Sequence, residues 1–514
     1  MTAGNVGELF LGSARRFPDL AAVAEGDTRL SYAELAHRAS AIAGRLIRRG
    51  IRPGDRVGLL LPNGWRYGAV YLGVQLAGAV AVLVNTRLSA GEVEHVLRDS
   101  GVAALVVDAG RDTGRAAAAP AVCPLWDAEE LAAPGPAAAD LPGTALGGGD
   151  LANLLYTSGT TGSPKGAMQT HGNLVANAGT VGGVFGIGPG DRTLVVAPMF
   201  HATGVNSQWV GFLAHGGTAV MLPQFSAGAM LRSLAEERIT FFAGVTAMIQ
   251  LMMADPAFPD ADLGALRTIC FGGGPVTPSL VPHLAEAFPQ ARLANVWGQT
   301  EATSITTCAL GDELRQRPWS VGRAVPGLQV AVHDDSGLGS GLGSGLGSGL
   351  VPPGADVVGE LWVRGPTVTA GYWNRAEATA ETFRADGWLR TGDVGRIDAD
   401  GYVQVLDRLK DMIIRGGENV YSLEVETVLA RHPAVAEVAV VGSPDEIFGE
   451  RVRAVVVLRP GERLTLPELR AWAADRLAEY KLPEDLSVVT ELPRTPAGKV
   501  LKRALAVPDD AVTR

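Results

Sequence analysis

The chain has little cysteine, with three in 514 residues. Cys123, Cys270 and Cys308 are widely spaced and show no pairing pattern. That excludes a disulfide framework and a cysteine-based zinc site, and it points to a reducing, cytoplasmic compartment. Formal net charge is −10 with no long lysine/arginine block, which argues against a nucleic-acid surface. No basic stretch followed by an apolar core and cleavage site opens the sequence, so no secretory signal is expected. Tyr67 to Val84 is free of charge and long enough to suggest a membrane span. Gln75 interrupts it, however, and Gly68, Gly73 and Gly78 punctuate it. The helical spacing of Val70, Leu72, Val74 and Leu76 gives way after Gly78 to a β-branched run. A buried helix, a glycine turn and a core strand are predicted, with no transmembrane segment.

What is plentiful is apolar surface. Hydrophobic residues make up 47% and charged residues 19%, so a large core is easily built, in roughly two to four domains or subdomains. Short β-branched runs alternate with helical stretches from about residue 20 to 330. Examples are Arg56–Leu61, Ala104–Asp108, Thr193–Val196 and Thr218–Met221, with a helix from Ser31 to Arg49 opened by a Ser31/Glu34 capping box. This alternation predicts an α/β fold of layers with largely parallel sheets. After Val325 the pattern turns to β, over Leu328–Val332, Gly359–Val363 and Tyr402–Leu406, as in a small β-barrel-like subdomain. A Gly-Leu-Gly-Ser repeat at about 336–350 cannot bury enough apolar area to order itself and reads as a flexible insert. From about Lys410 a small α+β module follows, with helix Ser422–Arg431, strands Val435–Gly442 and Val452–Leu458, helix Leu466–Tyr480 and a basic tail. The organisation expected is a large N-terminal domain over 1–406, a hinge over 407–410 and a small mobile C-terminal domain over 411–514.

The densest chemistry lies in Tyr156-Thr-Ser-Gly-Thr-Thr-Gly-Ser-Pro-Lys165-Gly166. Gly159 and Gly162 let the backbone curl so that successive N–H groups face an anion. Thr157, Ser158, Thr160 and Thr161 add hydroxyls, and Lys165 adds a positive charge. The run can grip a polyphosphate. It is not a Walker A loop, because Pro164 precedes the lysine and Gly166 follows it. A polar surface loop is the plain alternative, and eleven ordered positions disfavour it.

This run resembles the phosphate loop of the adenylate-forming superfamily, in its acyl-CoA synthetase branch of fatty-acid and aryl-acid ligases. Asn295-Val-Trp-Gly-Gln-Thr-Glu301 resembles the family's aromatic-Gly-x-Thr-Glu signature. The resemblance implies adenine stacking on Trp297 beside Gly298, a Thr300 hydroxyl for the α-phosphate, and Glu301 as the Mg²⁺ ligand. Phe271-Gly-Gly-Gly-Pro275 would lay backbone from Gly273, Gly274 and Pro275 against the other face of the base. Thr391-Gly-Asp393 looks like the ribose site, with Arg408 as its helper and Lys410 as the pivot of the small domain. Lys499, in a Pro-x-Thr-x-x-Gly-Lys frame, matches the catalytic lysine that bridges the carboxylate and the α-phosphate. Gly416, Gly417 and Glu418 resemble the loop that lines the pantetheine arm in the thioester-forming state.

Pro198-Met-Phe-His201 bears on the substrate. Amino-acid adenylation domains carry an aspartate there to meet an ammonium, so His201 implies an acid without an α-amine. The expected pocket walls are Thr203, Ser207, Trp209, Val245, Met248 and Phe271 to Gly273, with Val296 beside them. Many long-chain and coumarate-type members have glycine at the place of Val296, so a medium-chain, compact aromatic or alicyclic acid is preferred over a very long chain. The resemblance therefore implies an acid–CoA ligase for a medium- or long-chain fatty acid or an aromatic or alicyclic acid, using ATP, Mg²⁺ and coenzyme A. A carrier-protein-loading ligase is the alternative, and a non-catalytic nucleotide-binding scaffold is the remote one. A homodimer and a separate carrier protein stay open as partners. Deleting the insert 336–350 should leave turnover nearly intact, which steady-state assay of the shortened chain measures; a large loss would refute its role as a passive loop.

Overall fold

The computed structural model describes residues 3–110, 122–157, 164–273, 276, 280–333, 350–351, 353–355, 357–416, 418–494 and 500–506. Ser158, Gly159, Thr160, Thr161, Gly162, Gly274, Pro275, Gly417, Lys499 and nearly all of the Gly-Leu-Gly-Ser insert lie outside the described residues. Packing divides the chain into two units, Met1–Val330 with Val363–Leu389, and Ala331–Trp362 with Arg390–Arg514.

The first unit is built on two sheets. One has nine strands, in the order Arg323–Ala324, Thr307–Leu310, Arg292–Trp297, Thr268–Gly272, Phe241–Gly244, Arg192–Val195, Thr218–Met221, Ala21–Glu25 and Thr28–Ser31. The strands from Arg292–Trp297 through Ala21–Glu25 are parallel, and antiparallel pairs occur only at the two edges. The other has six strands, in the order Leu125–Asp127, Ala104–Val107, Arg56–Leu60, Val80–Leu83, Leu151–Thr157 and Lys165–Thr170. It is parallel except for the last pair, a hairpin. One apolar cluster draws Ala22 and Val23 from the first sheet, Val57, Leu59 and Leu83 from the second, and Ile42, Val70 and Trp209 from helical segments. Parallel strands covered on both faces read as continuous β-branched runs, which is why the sequence announced them.

The uncharged run resolves as predicted. Helix Trp65–Leu76, buried from Tyr67 onward, is followed by Gly78 at φ 77° and the buried strand Val80–Leu83. Among the described residues no helix is long and apolar enough to cross a membrane. The glycines inside that helix exist for packing. A Cβ on Gly68 would lie 2.4 Å from the Trp209 ring, and one on Gly73 would lie 2.4 Å from Ile42. Helix Tyr32–Arg48 carries the expected capping box, in which the Glu34 amide donates to Ser31 and the Ser31 amide donates to Glu34.

The β-rich stretch forms a five-stranded sheet, in the order Leu350–Val351, Gln329–His333, Gly359–Arg364, Trp388–Ile397 and Val403–Arg408. The C-terminal residues form a second five-stranded sheet, Glu418–Val420, Ile413–Arg415, Gly449–Leu458 and Val435–Asp445, with Asp485–Val488 pairing alongside Gly449–Leu458. Its core holds Val425, Leu429, Val440, Val456 and Leu469. The last predicted helix is shorter than expected, Leu466–Ala474, because the chain then turns to bury Leu477 and Leu482 in that same core. The expected junction at 407–410 falls inside the second unit, where residues 390–406 also belong. The three cysteines are free, and burial pushes the Cys270 and Cys308 thiols up, Cys308 to about 12.

Gly68→Ala should destabilise the chain by about 1–3 kcal/mol through overpacking against Trp209. Gly183→Ala, at an exposed helical site with nothing within 4 Å of the new methyl, should stabilise it by about 0.5–1 kcal/mol. Thermal or denaturant unfolding of both variants checks the pair, and equal shifts would contradict the packing account.

Candidate functional site

Ligands in open α/β sheets gather at the carboxyl ends of the strands, and four of the sequence motifs sit there on neighbouring strands. Strand Arg292–Trp297 runs into Gly298, Thr300 and Glu301. Beside it Thr268–Gly272 ends at Gly273, Phe241–Gly244 ends at Val245, and Arg192–Val195 leads to Pro198 and His201. The parallel register places these segments side by side although they are separated by up to a hundred residues in the chain.

Each turn has a local cause. A Cβ on Gly298 would lie 1.7 Å from the Ser304 carbonyl oxygen, so only glycine lets the chain fold back after Trp297. The Thr306 amide then donates to the Trp297 carbonyl at 2.8 Å, closing a loop that holds Glu301 in a short 3₁₀ turn, Thr300–Ala302. His201 precedes a π-helical segment, Thr203–Val210, a form that recurs at functional sites. Its entry is tight: a Cβ on Gly204 would lie 2.4 Å from the Pro198 carbonyl oxygen. The His201 ring lies 4.7 Å from that of Phe200.

The hairpin Leu151–Thr157/Lys165–Thr170 brings the ends of the phosphate run together, with Thr157 opposite Lys165. Tyr156 anchors its entry by donating to Asp99 at 2.7 Å; burial first, then Asp99, pushes the phenol pKa up. At its exit, fully buried His171 has its pKa pushed down to about 4 by desolvation, so it is neutral at pH 7 and its Nδ1 accepts from the Val6 amide.

A buried amide network ties the hairpin to the strand ends, and the sequence reading missed it. Asn153 Nδ2 and Asn206 Nδ2 both donate to Gln169 Oε1, at 3.3 and 3.1 Å. Gln169 Nε2 donates to the Thr300 carbonyl at 3.3 Å, and Asn206 Nδ2 to the Thr303 carbonyl at 2.7 Å. Asn153, Gln169 and Asn206 are each 0% exposed. Ser207 and Ser304 share a hydroxyl bond of 2.8 Å. Lone amides in hydrophobic runs carry no motif, so the only signal available was their polarity at otherwise buried positions. Tyr372 was missed as well. Its hydroxyl donates to Glu301 Oε1 at 2.8 Å, and its ring lies 5.4 Å from Lys165 Nζ.

The expected pocket residues divide. Val245 is 44% exposed and Thr203 is exposed; Met248 and Val296 are half-buried. Val296 packs against Gly272, where a Cβ would lie 3.0 Å from its Cγ2. Phe271 and Trp209 need correction as pocket walls. At 1% and 0% exposed they are core residues and present no free face to a ligand. Trp297 is itself 9% exposed, so most of its ring is already enclosed by protein.

In the second unit, Asp393 and Arg408 face each other across antiparallel strands, with Nε 2.8 Å from Oδ1. Asp393 is 4% exposed, and its amide donates to the Thr391 hydroxyl at 3.1 Å. Next to Arg408, the Asp407 carboxylate accepts from Ser422 at 2.8 Å, and Lys502 Nζ reaches both Ser422 at 2.5 Å and Glu426 at 2.7 Å. Burial raises both carboxyl pKa values, and the Lys502 charge opposes it. Gly416 takes φ 59° at the tip of the hairpin Ile413–Arg415/Glu418–Val420, and Glu418 is exposed.

The sequence pattern of the AMP-binding enzyme family matches residues 10–373. That of the AMP-binding enzyme C-terminal domain matches residues 424–499. Feruloyl-CoA synthase of Amycolatopsis sp is 41% identical over 492 residues, covering 95% of this chain and 96% of that protein. Long-chain-fatty-acid–CoA ligase FadD13 of Mycobacterium tuberculosis is 36% identical over 511 residues, covering 98% of each. Among solved structures, the o-succinylbenzoate CoA synthetase MenE of Bacillus subtilis, in complex with its acyl-adenylate intermediate OSB-AMP, superposes with a TM-score of 0.86 at 30% identity over 98% of both chains. With these matches, and with the hairpin Leu151–Thr157/Lys165–Thr170 joined to the Thr300–Glu301 turn as described, the chain belongs to the AMP-binding enzyme family.

Proposed function

We propose that this chain is an ATP-dependent, AMP-forming acid–CoA ligase acting on a medium-chain, compact aromatic or alicyclic carboxylic acid. The acid's carboxylate oxygen attacks the α-phosphorus of ATP and pyrophosphate leaves. The thiolate of coenzyme A then attacks the acyl carbonyl and AMP leaves. The observation that carries the reading is the hydrogen-bonded junction of the Lys165 hairpin with the Thr300–Glu301 turn, through Gln169 and Asn206.

The residues present fit a Mg²⁺–nucleotide. Among the described residues no group of three or more His, Cys, Asp or Glu side chains could cage a metal by itself. One hard carboxylate, Glu301, completed by substrate phosphate oxygens, is the donor set Mg²⁺ prefers. When bound, the ion supplies charge neutralisation on the phosphates. Lys165, Thr157 and the loop between them would hold the leaving pyrophosphate. Thr300 would donate to the α-phosphate, and Lys499 would bridge the attacking carboxylate and the phosphorus, where charge builds. Asp393, oriented by Arg408 and Thr391, would accept from the ribose hydroxyls. Gly416, Gly417 and Glu418 would pass the pantetheine arm, with Lys410 as the pivot between half-reactions.

His201 supports an acid without an ammonium group, since an imidazole supplies no fixed negative charge. Half-buried Val296, held against Gly272, supports a restricted pocket depth, and the similarity to a feruloyl-CoA synthase fits an aryl acid.

Lys499→Ala should lower adenylate formation by about 10²–10³-fold or more while sparing thioester formation from supplied acyl-adenylate. Pyrophosphate release and CoA consumption measured separately test this, and equal loss of both halves would defeat the assignment. In a panel of acids, octanoate, benzoates and cinnamates should outpace palmitate in AMP release, by a margin on the order of 10–200-fold at most, because small pocket differences discriminate weakly. A decisive preference for palmitate would overturn the proposed substrate class. AMP release without CoA consumption would instead indicate a carrier-protein acceptor.

A further inference from the structure

Residues 369–373 form a strap that touches both halves of the proposed nucleotide site. The Ala370 amide donates to Met168 O at 3.0 Å, the Met168 amide to Gly371 O at 2.9 Å, and the Trp373 amide to Gly166 O at 2.8 Å. The strap thereby extends the phosphate-loop hairpin by one more antiparallel partner, with Tyr372 opposite Ala167. At its other end the Thr369 amide donates to Glu301 O at 2.9 Å. Gly371 makes the approach feasible, with φ 118° and no room for a Cβ, which would lie 2.5 Å from Thr379. The Tyr372 amide donates to Thr379 Oγ1 at 2.9 Å, and its ring packs edge-on against Phe383, with centroids 5.4 Å apart.

Its position is therefore set from both faces of the strap, and its side chain serves two opposite charges. The hydroxyl donates to Glu301 Oε1 at 2.8 Å, while the ring faces Lys165 Nζ at 5.4 Å. A direct lysine–glutamate pair would neutralise both groups. The phenol instead gives the carboxylate a neutral donor and the ammonium a π-face. A carboxylate with one oxygen fixed by a hydrogen bond is held in one rotamer, and such outer partners orient metal-binding carboxylates.

We propose that Tyr372 is a positioning residue for the metal–nucleotide, orienting the Glu301 carboxylate through its hydroxyl and the Lys165 ammonium over its ring. This rests on the reading of Glu301 as the carboxylate that meets the metal, and it adds a group outside that reading. The strap's sequence, Thr369-Ala-Gly-Tyr-Trp373, carries no charge, so only its placement exposes the role.

The test uses the full chain with ATP and no acid, so that no turnover occurs, and titrates Mn²⁺ by the loss of its free electron-spin-resonance signal. Tyr372→Phe keeps the ring and its packing, and should weaken Mn²⁺ binding about tenfold, the value of one hydrogen bond to a charged group. AMP affinity in the presence of EDTA, read by calorimetry, should change less than about twofold by the same conversion. Glu301→Gln should weaken Mn²⁺ binding as well, and the double variant Tyr372→Phe/Glu301→Gln should lose little more than Glu301→Gln alone. A Glu301→Gln effect with Tyr372→Phe at wild-type Mn²⁺ affinity would overturn the role of Tyr372. So would a loss of AMP affinity in Tyr372→Phe equal to its loss of Mn²⁺ affinity, which would mark a general structural defect. If Glu301→Gln leaves Mn²⁺ binding unchanged, the metal reading of Glu301 fails first and the inference falls with it.

Discussion

Strand Lys165–Thr170 is hydrogen-bonded on both sides, by Leu151–Thr157 along one edge and by residues 370–373 along the other. The way the Lys165 hairpin meets the Thr300–Glu301 turn at the proposed nucleotide site depends on that double pairing. It sets the mouth of the phosphate run, with Thr157 facing Lys165. It delivers Gln169 beneath the Thr300–Ala302 turn and brings Tyr372 to Glu301. Backbone ladders suit this task, because their register cannot slip by one residue without turning every side chain to the opposite face.

Behind the ladder lies a polar interior. Asn153, Gln169 and Asn206 are completely enclosed, and amides without partners there would each cost about 1–3 kcal/mol. They satisfy one another and two carbonyls of the glutamate-bearing loop. Such a network is directional where apolar packing is not, so it can hold two sheets and a π-helical segment at a defined offset. It also explains why the largely buried π-helical segment carries Asn206.

Much of the architecture was legible from sequence. Parallel strands buried on both faces are short β-branched runs, and Thr218–Met221 and Ala104–Val107 emerged within a residue of their expected limits. Gly78 separated a helix from a strand because only a positive φ could reverse the chain there. The three-residue strands Ile413–Arg415 and Glu418–Val420 were not legible, since so short a run has no period to detect. Helix Leu466–Ala474 ended early because burial of Leu477 overrode a helical pattern that continued in the sequence. The pocket walls fared unevenly for the same reason: the pattern that marks Phe271 and Trp209 as apolar does not say whether they face a ligand or the core.

The order of residues along the chain by itself determined the family, because glycines, hydroxyls and lysines at set spacing are the local chemistry of gripping phosphate, and local chemistry is written in consecutive letters. It likewise determined the alternation of strand and helix, whose periods of two and 3.6 are local properties. The tertiary structure alone decided which distant groups share a site. Lys165, Glu301 and Tyr372 lie far apart in sequence, and only sheet order and register make them neighbours. It alone decided which aromatic rings were consumed by packing, because burial is a property of the assembled layers and not of any residue's own side chain.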